Sequence, residues 1–138
     1  MGNYDESMVA PMREELVQVG FSQLMTPEEV DSALQRPGST LLVLNSVCGC
    51  AAGTLRPGVI EAVKGRGLTF DHLVTVFAGM ETDAVRRVRE HFGSLMPSSP
   101  NVAIFQDGKL LHHMPRHAFE SLAPSQIADQ IGLAQREL

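Results

Sequence analysis

The stretch TLLVLNSVCGCAAG, Thr40 to Gly53, holds the only two cysteines of the chain, one residue apart and directly after an apolar run. From Thr40 to Val47 apolar residues are nearly continuous rather than alternating with polar ones. That is the pattern of a strand buried on both faces, as in a parallel sheet. The residues that follow, CGCAAGTLRPGVIEAVKG, read mostly as helix, with a kink expected at Pro57-Gly58 and an end punctuated by Gly65 and Gly67. Cys48 thus sits just beyond the carboxyl end of a buried strand and at the start of a helix. Open α/β sheets place their sites at such strand ends.

A helix start presents free N–H groups and the positive end of a dipole, which favour an anion. A thiolate is that anion, so Cys48 is expected to ionise below the free-thiol value of about 8.5. No Lys or Arg adjoins Cys48, so the helix terminus is expected to supply most of the effect, with Arg56 two turns along as a minor contributor. Cys50, two residues into the helix, is expected to be less exposed and suited to attack a mixed disulfide formed at Cys48. Closing a disulfide across one residue needs unusual backbone angles, which Gly49 tolerates best. Such a closed pair is expected to be strained and comparatively oxidising.

Two other readings of the pair stand beside the redox one. The cysteines could be two small buried hydrophobes. They could also hold a soft metal with His72, His91, His112, His113 or His117, as a metal-binding or interaction module without turnover. Against a metal, two cysteines do not complete a tetrahedral structural site, and no histidine follows at finger-like spacing. His112 and His113 are neighbours on an expected strand, so they should point to opposite faces.

Working outward from this centre, strands and helices alternate. Apolar residues at Met8, Val9, Met12, Leu16 and Val19 predict a helix from Ser7 to Val19, ended by Gly20. Phe21 to Leu24 is a short candidate strand. TPEE then starts a helix, with Thr26 as cap, Pro27 at the first helical position and Glu29 completing a capping box; it should stop at Pro37-Gly38. A second buried strand is expected from Thr69 to Phe77. Another helix, capped by Thr82 or Asp83, should run to about Gly93. Asp107-Gly108 between the apolar runs Val102 to Phe105 and Lys109 to Met114 is a hairpin signal, and a last helix fits Ser125 to Leu138. This order predicts an α/β fold with a mixed central sheet, helices on both faces and an extra N-terminal helix.

At 138 residues and 43% hydrophobic content, residues 1–138 fit one domain with a real core. The net charge of -5 and scattered basic residues argue against a nucleic-acid partner. No apolar run approaches membrane-spanning length and no targeting signal is visible, since Glu6 stands where the myristoylation pattern after Gly2 needs Ser or Thr. The expected location is the cytoplasm, where structural disulfides are rare.

A second landmark, SSPNVAIFQDGKL from Ser98 to Leu110, places a proline directly before a strand and hairpin. Together with the Cys pair and Pro57, it resembles the thioredoxin fold. CGC in place of CxxC, in the context NSVCGCAAG with TPEEVD before it and the SSP hairpin after it, resembles the bacilliredoxins over essentially the whole chain. That resemblance implies a thiol–disulfide oxidoreductase. Cys48 would attack protein–bacillithiol mixed disulfides and Cys50 would resolve them, with bacillithiol as thiol co-substrate and no bound cofactor or metal. The partners implied are S-bacillithiolated client proteins and a bacillithiol-dependent recycling system. It further implies a cis Ser99–Pro100 bond facing the cysteines, with Gly49, Ser99 and Pro100 as substrate-binding positions. Protein disulfide isomerisation or reduction is the related alternative.

Overall fold

The computed structural model describes residues 2–138. Its centre is a five-stranded sheet in the order β1-β3-β2-β4-β5, built from β1 (Ser22–Gln23), β2 (Ser39–Asn45), β3 (His72–Phe77), β4 (Asn101–Gln106) and β5 (Lys109–Met114). β2 pairs in parallel with β3 on one side and antiparallel with β4 on the other. Every residue of β2 is buried, as its unbroken apolar run requires. Alternate residues feed two cores. Leu41 and Val43 join one face with Leu55, Val59, Ile127 and Ile131, whereas Leu42 and Leu44 join the other with Val30, Leu34, Val85 and Val88. Burying each such side chain contributes about 1.5–3 kcal/mol.

The helices account for those two layers. α1 (Glu6–Val17), α3 (Arg56–Ile60) and α6 (Pro124–Gln135) lie over the first face; α2 (Pro27–Gln35) and α4 (Thr82–His91) lie over the second. α2 starts as expected: the Thr26 hydroxyl accepts the Glu29 N–H at 3.1 Å, and the Glu29 carboxylate reaches back to the Met25 N–H at 2.7 Å. The hairpin turn also matches, with Asp107 at φ 51° and Gly108 at φ 84°. α1 is tied down by the buried Arg13, which donates to Glu6 and Glu81 and lies 5.2 Å over the Phe77 ring.

Four expectations need correction. α4 is preceded by Glu81, and neither Thr82 nor Asp83 caps it; the Glu81 carboxylate instead accepts the Phe77 N–H and binds Arg13. The strand expected from Thr69 begins only at His72, because the backbone before it does not pair with β2. The last helix begins one residue early, at Pro124, and stops at Gln135. Pro57 and Gly58 do not interrupt their helix. It runs on through α3, with wider i→i+5 turns at Ala51–Leu55 before it and Glu61–Gly65 after it. Gly58 is needed for packing: a Cβ there would meet Ile127 Cβ of α6 at 2.7 Å.

A short helix that no sequence period announced, α5 (Arg116–Phe119), leaves the end of β5 and buries Phe119 in the first core.

Candidate active site

The loop from Asn45 to Cys48 leaves the carboxyl end of β2 and is held almost entirely by side chains. Asn45 Oδ1 accepts the Ser46 N–H at 2.8 Å, and the Ser46 hydroxyl accepts the Cys48 N–H at 2.9 Å. Such short local bonds are what Asn and Ser offer in place of a ladder. The Cys48 carbonyl then accepts the Ala51 and Ala52 N–H groups at 3.0 and 3.3 Å, starting the helix. Beneath the loop lies Arg56, only 2% exposed. Its Nη1 donates to Asn45 Oδ1 at 2.9 Å and to the Ser46 carbonyl at 3.0 Å, and its Nε is 3.3 Å from the Glu15 carboxylate of α1. Asn45 in turn donates to the Met12 carbonyl at 3.2 Å. One buried guanidinium therefore joins β2, the loop, the active-site helix and α1.

On this support the two thiols are 2.9 Å apart, both free and both partly buried. They are electrostatically unequal. Cys48 is held below the ordinary thiol value, first by the hydrogen bond from Cys50; the Cys50 and Ala51 N–H groups and the Arg116 charge act in the same direction, against burial. Cys50 is pushed up, first by burial and then by its neighbour Cys48. The contribution of the helix terminus is present, but the Cys50 thiol comes before it, which corrects the expectation that the terminus supplies most of the effect. Arg56 is also corrected: it is committed to Asn45, Ser46 and Glu15, and the cation that acts on the thiols is Arg116 on α5.

The Ser99–Pro100 bond is cis. Leu44 of β2 is opposite Asn101 of β4, so Pro100 comes next at the sheet end from which the Cys48 loop emerges. Asn101 Nδ2 donates to the Ser98 carbonyl at 2.8 Å, bracing this turn. Gly49 is exposed, at negative φ, with nothing within 4 Å of a notional Cβ. The candidate positions Cys48, Cys50, Ser99 and Pro100 thus share one end of the sheet, with Gly49 open to solvent between the cysteines. Sequence reasoning missed Arg116, Asn45 and Ser46. The signal for Asn45 and Ser46 was available: two polar residues ending a fully buried strand need partners.

The histidines are spread. His113 packs against Phe92 at 4.8 Å on one face of the sheet, while His112 bonds Glu137 at 2.9 Å, so the pair does point in opposite directions. Among the described residues no three His, Cys, Asp or Glu side chains are grouped as metal ligands. No described helix is long and apolar enough to cross a membrane.

Comparison with known proteins follows the same lines. The family model "Disulphide isomerase" matches residues 4–137. A bacilliredoxin of Cytophaga hutchinsonii is 45% identical, covering 98% of this chain and 99% of its own length. A bacilliredoxin of Halalkalibacterium halodurans is 42% identical, covering 98% and 94%. Among solved structures, mitochondrial thioredoxin 3 of Saccharomyces cerevisiae superposes with a TM-score of 0.60 at 10% identity, covering 90% of this chain and 99% of that one. Thioredoxin of Trypanosoma brucei brucei gives 0.54 at 19% identity, covering 82% and 92%. The structural matches establish the thioredoxin fold, and the sequence matches go further: this chain belongs to the bacilliredoxin family of thiol–disulfide oxidoreductases.

Proposed function

We propose that this oxidoreductase removes bacillithiol from cytoplasmic proteins that carry it as a mixed disulfide, with Cys48 as the attacking thiolate and Cys50 as the resolving thiol. The observation that supports this most is the polarised pair: two sulfurs 2.9 Å apart, one favoured as thiolate and the other as thiol. The thiol itself is inferred from the name that the relatives carry.

The Cys48 thiolate attacks the bacillithiol sulfur of the mixed disulfide. A Cys48–bacillithiol S–S bond forms as the bond to the client breaks, and the client leaves as a thiolate that takes up a proton. Cys50 then loses its proton and attacks Cys48 Sγ. A Cys48–Cys50 bond forms and bacillithiol departs as thiolate. The pair has given two electrons, and one mixed disulfide has become two thiols. Alternatively a second bacillithiol attacks the adduct, leaving as bacillithiol disulfide and restoring the Cys48 thiolate. A bacillithiol-dependent recycling system supplies the two electrons that return either disulfide to thiols. We assign the bound substrate chain to Gly49, Ser99 and Pro100. The open space around Gly49 and the register that brings Pro100 to the same sheet end support this.

The test uses a Cys50→Ser variant and a client carrying one bacillithiol. Intact-mass measurement should show one bacillithiol gained on Cys48 and one lost from the client. Loss from neither, or an adduct elsewhere, overturns the reading. A second reading, protein disulfide isomerisation, is favoured by the description of the matching family. Reactivation of ribonuclease with scrambled disulfides, dependent on Cys48 and faster than transfer from mixed disulfides, would make it the principal activity.

A further inference from the structure

The sheet register brings a charge to the thiols from far along the chain. Met114 of β5 is opposite Val102 of β4, and Asn101 is opposite Leu44. The chain leaving β5 therefore runs past the start of β4, and α5 begins beside the Ser98 to Pro100 turn. The Arg116 N–H points at the Ser98 hydroxyl, 3.4 Å away. The Arg116 side chain is half exposed, with Nε held by Glu120 at 2.8 Å one turn along. Among the described residues, no acceptor is paired with either of its terminal nitrogens. The backbone of Arg116 thus lies against the turn that carries the cis Ser99–Pro100 bond, and its positive charge favours the thiolate form of both cysteines.

An exposed guanidinium with unpaired terminal nitrogens, on the helix that begins beside the Ser98 to Pro100 turn, suits a particular substrate chemistry. Its planar fork matches a carboxylate. We propose that Arg116 is a specificity residue that receives a carboxylate of the small thiol being transferred, so that the protein selects anionic low-molecular-weight thiols over neutral or cationic ones. The inference rests on the mixed-disulfide reading above and deepens it. Glu120 holds Arg116 through Nε and leaves its two terminal amino groups without a partner among the described residues. The carboxylate is bound while Cys48 forms its bond to the neighbouring sulfur; the bonds made and broken are those already described.

The test is charge discrimination. One cysteine peptide is prepared as its mixed disulfide with 3-mercaptopropionate (anionic), 2-mercaptoethanol (neutral) or cysteamine (cationic). Each rate with the protein is divided by the rate of the same disulfide with free dithiothreitol, which removes intrinsic reactivity. The anionic-to-neutral ratio also cancels any change in the Cys48 thiolate population, which affects all three probes alike. The wild-type ratio should lie between about 1.5 and 5, the range of an exposed ion pair. Arg116→Gln should bring it to about one, Arg116→Glu should invert it, and Arg116→Lys should restore part of it. A wild-type ratio of one, or one that Arg116→Gln leaves unchanged, overturns the proposal while leaving mixed-disulfide chemistry intact. If no probe leaves an adduct on Cys48 in the Cys50→Ser background, the parent reading falls and takes this one with it.

Discussion

Two arginines serve the same cysteine pair in opposite ways. Arg56 is buried, its donors shared between Asn45 Oδ1 and the Ser46 carbonyl, with Glu15 beside its Nε. Arg116 is half exposed, bound through one nitrogen to Glu120, and acts on the sulfurs through its charge. The first fixes where Cys48 is; the second helps decide what charge it carries. Burial explains the division. A buried guanidinium has to be held by acceptors around it and so is spent on structure, whereas an exposed one keeps donors for a ligand. The nearer arginine in sequence is thus the scaffold, and the distant one is the electrostatic partner.

The largest effect should come from the buried member. Arg56→Met leaves Asn45 Oδ1 short of a donor and the Ser46 carbonyl unpaired. It should lower unfolding free energy by about 2–4 kcal/mol, with the Glu15 share discounted because that carboxylate is partly solvated. Urea denaturation reads this directly, and a loss below about 0.5 kcal/mol, the scale of ordinary surface changes, would break the scaffold half of the comparison. Arg116→Gln should leave the urea midpoint where it is and raise the pH midpoint of Cys48 alkylation. The sign follows from charge: without the cation the thiolate is less favoured, so a higher pH is needed to form it. A fall in stability like that of Arg56→Met, or an unmoved alkylation midpoint, would erase the distinction.

Smaller shifts sharpen it. Stabilising the Cys48 thiolate favours the reduced pair, as does the tight ring that one intervening residue imposes. The potential in glutathione redox buffers should therefore lie above the thioredoxin value of about -270 mV. Arg116→Gln should make it more negative, by no more than about 30 mV for a tenfold change in equilibrium. Least of all, raising salt to about 1 M, where the Debye length is about 3 Å, should move the wild-type alkylation midpoint up slightly and leave that of Arg116→Gln nearly fixed. Equal salt responses would mean that Arg116 does not act through its charge.

The sequence disclosed the parts whose signals are local. The buried β2 run, the Cys pair at a strand–helix junction, the Thr26 cap and the Asp107-Gly108 turn all depend on neighbours within a few residues, and each is found as expected. The Ser99–Pro100 geometry was legible only through family resemblance. α5 was not legible, because four residues are too few for a helical period. Arg116 was missed because strand register, not chain proximity, brings it to Cys48. Arg56 was noticed for its nearness to Cys48 and given the wrong task, since nearness along a helix says nothing about which side chain is buried.

The account depends on the inequality of the two thiols, and alkylation of each as a function of pH measures it most directly. Iodoacetamide modification of the reduced protein, resolved by peptide mass, should label Cys48 first at neutral pH. Its midpoint should lie below the free-thiol value of about 8.5 and that of Cys50 above it. Faster labelling of Cys50 near neutrality, or midpoints that coincide, would contradict the assignment of Cys48 as the attacking sulfur.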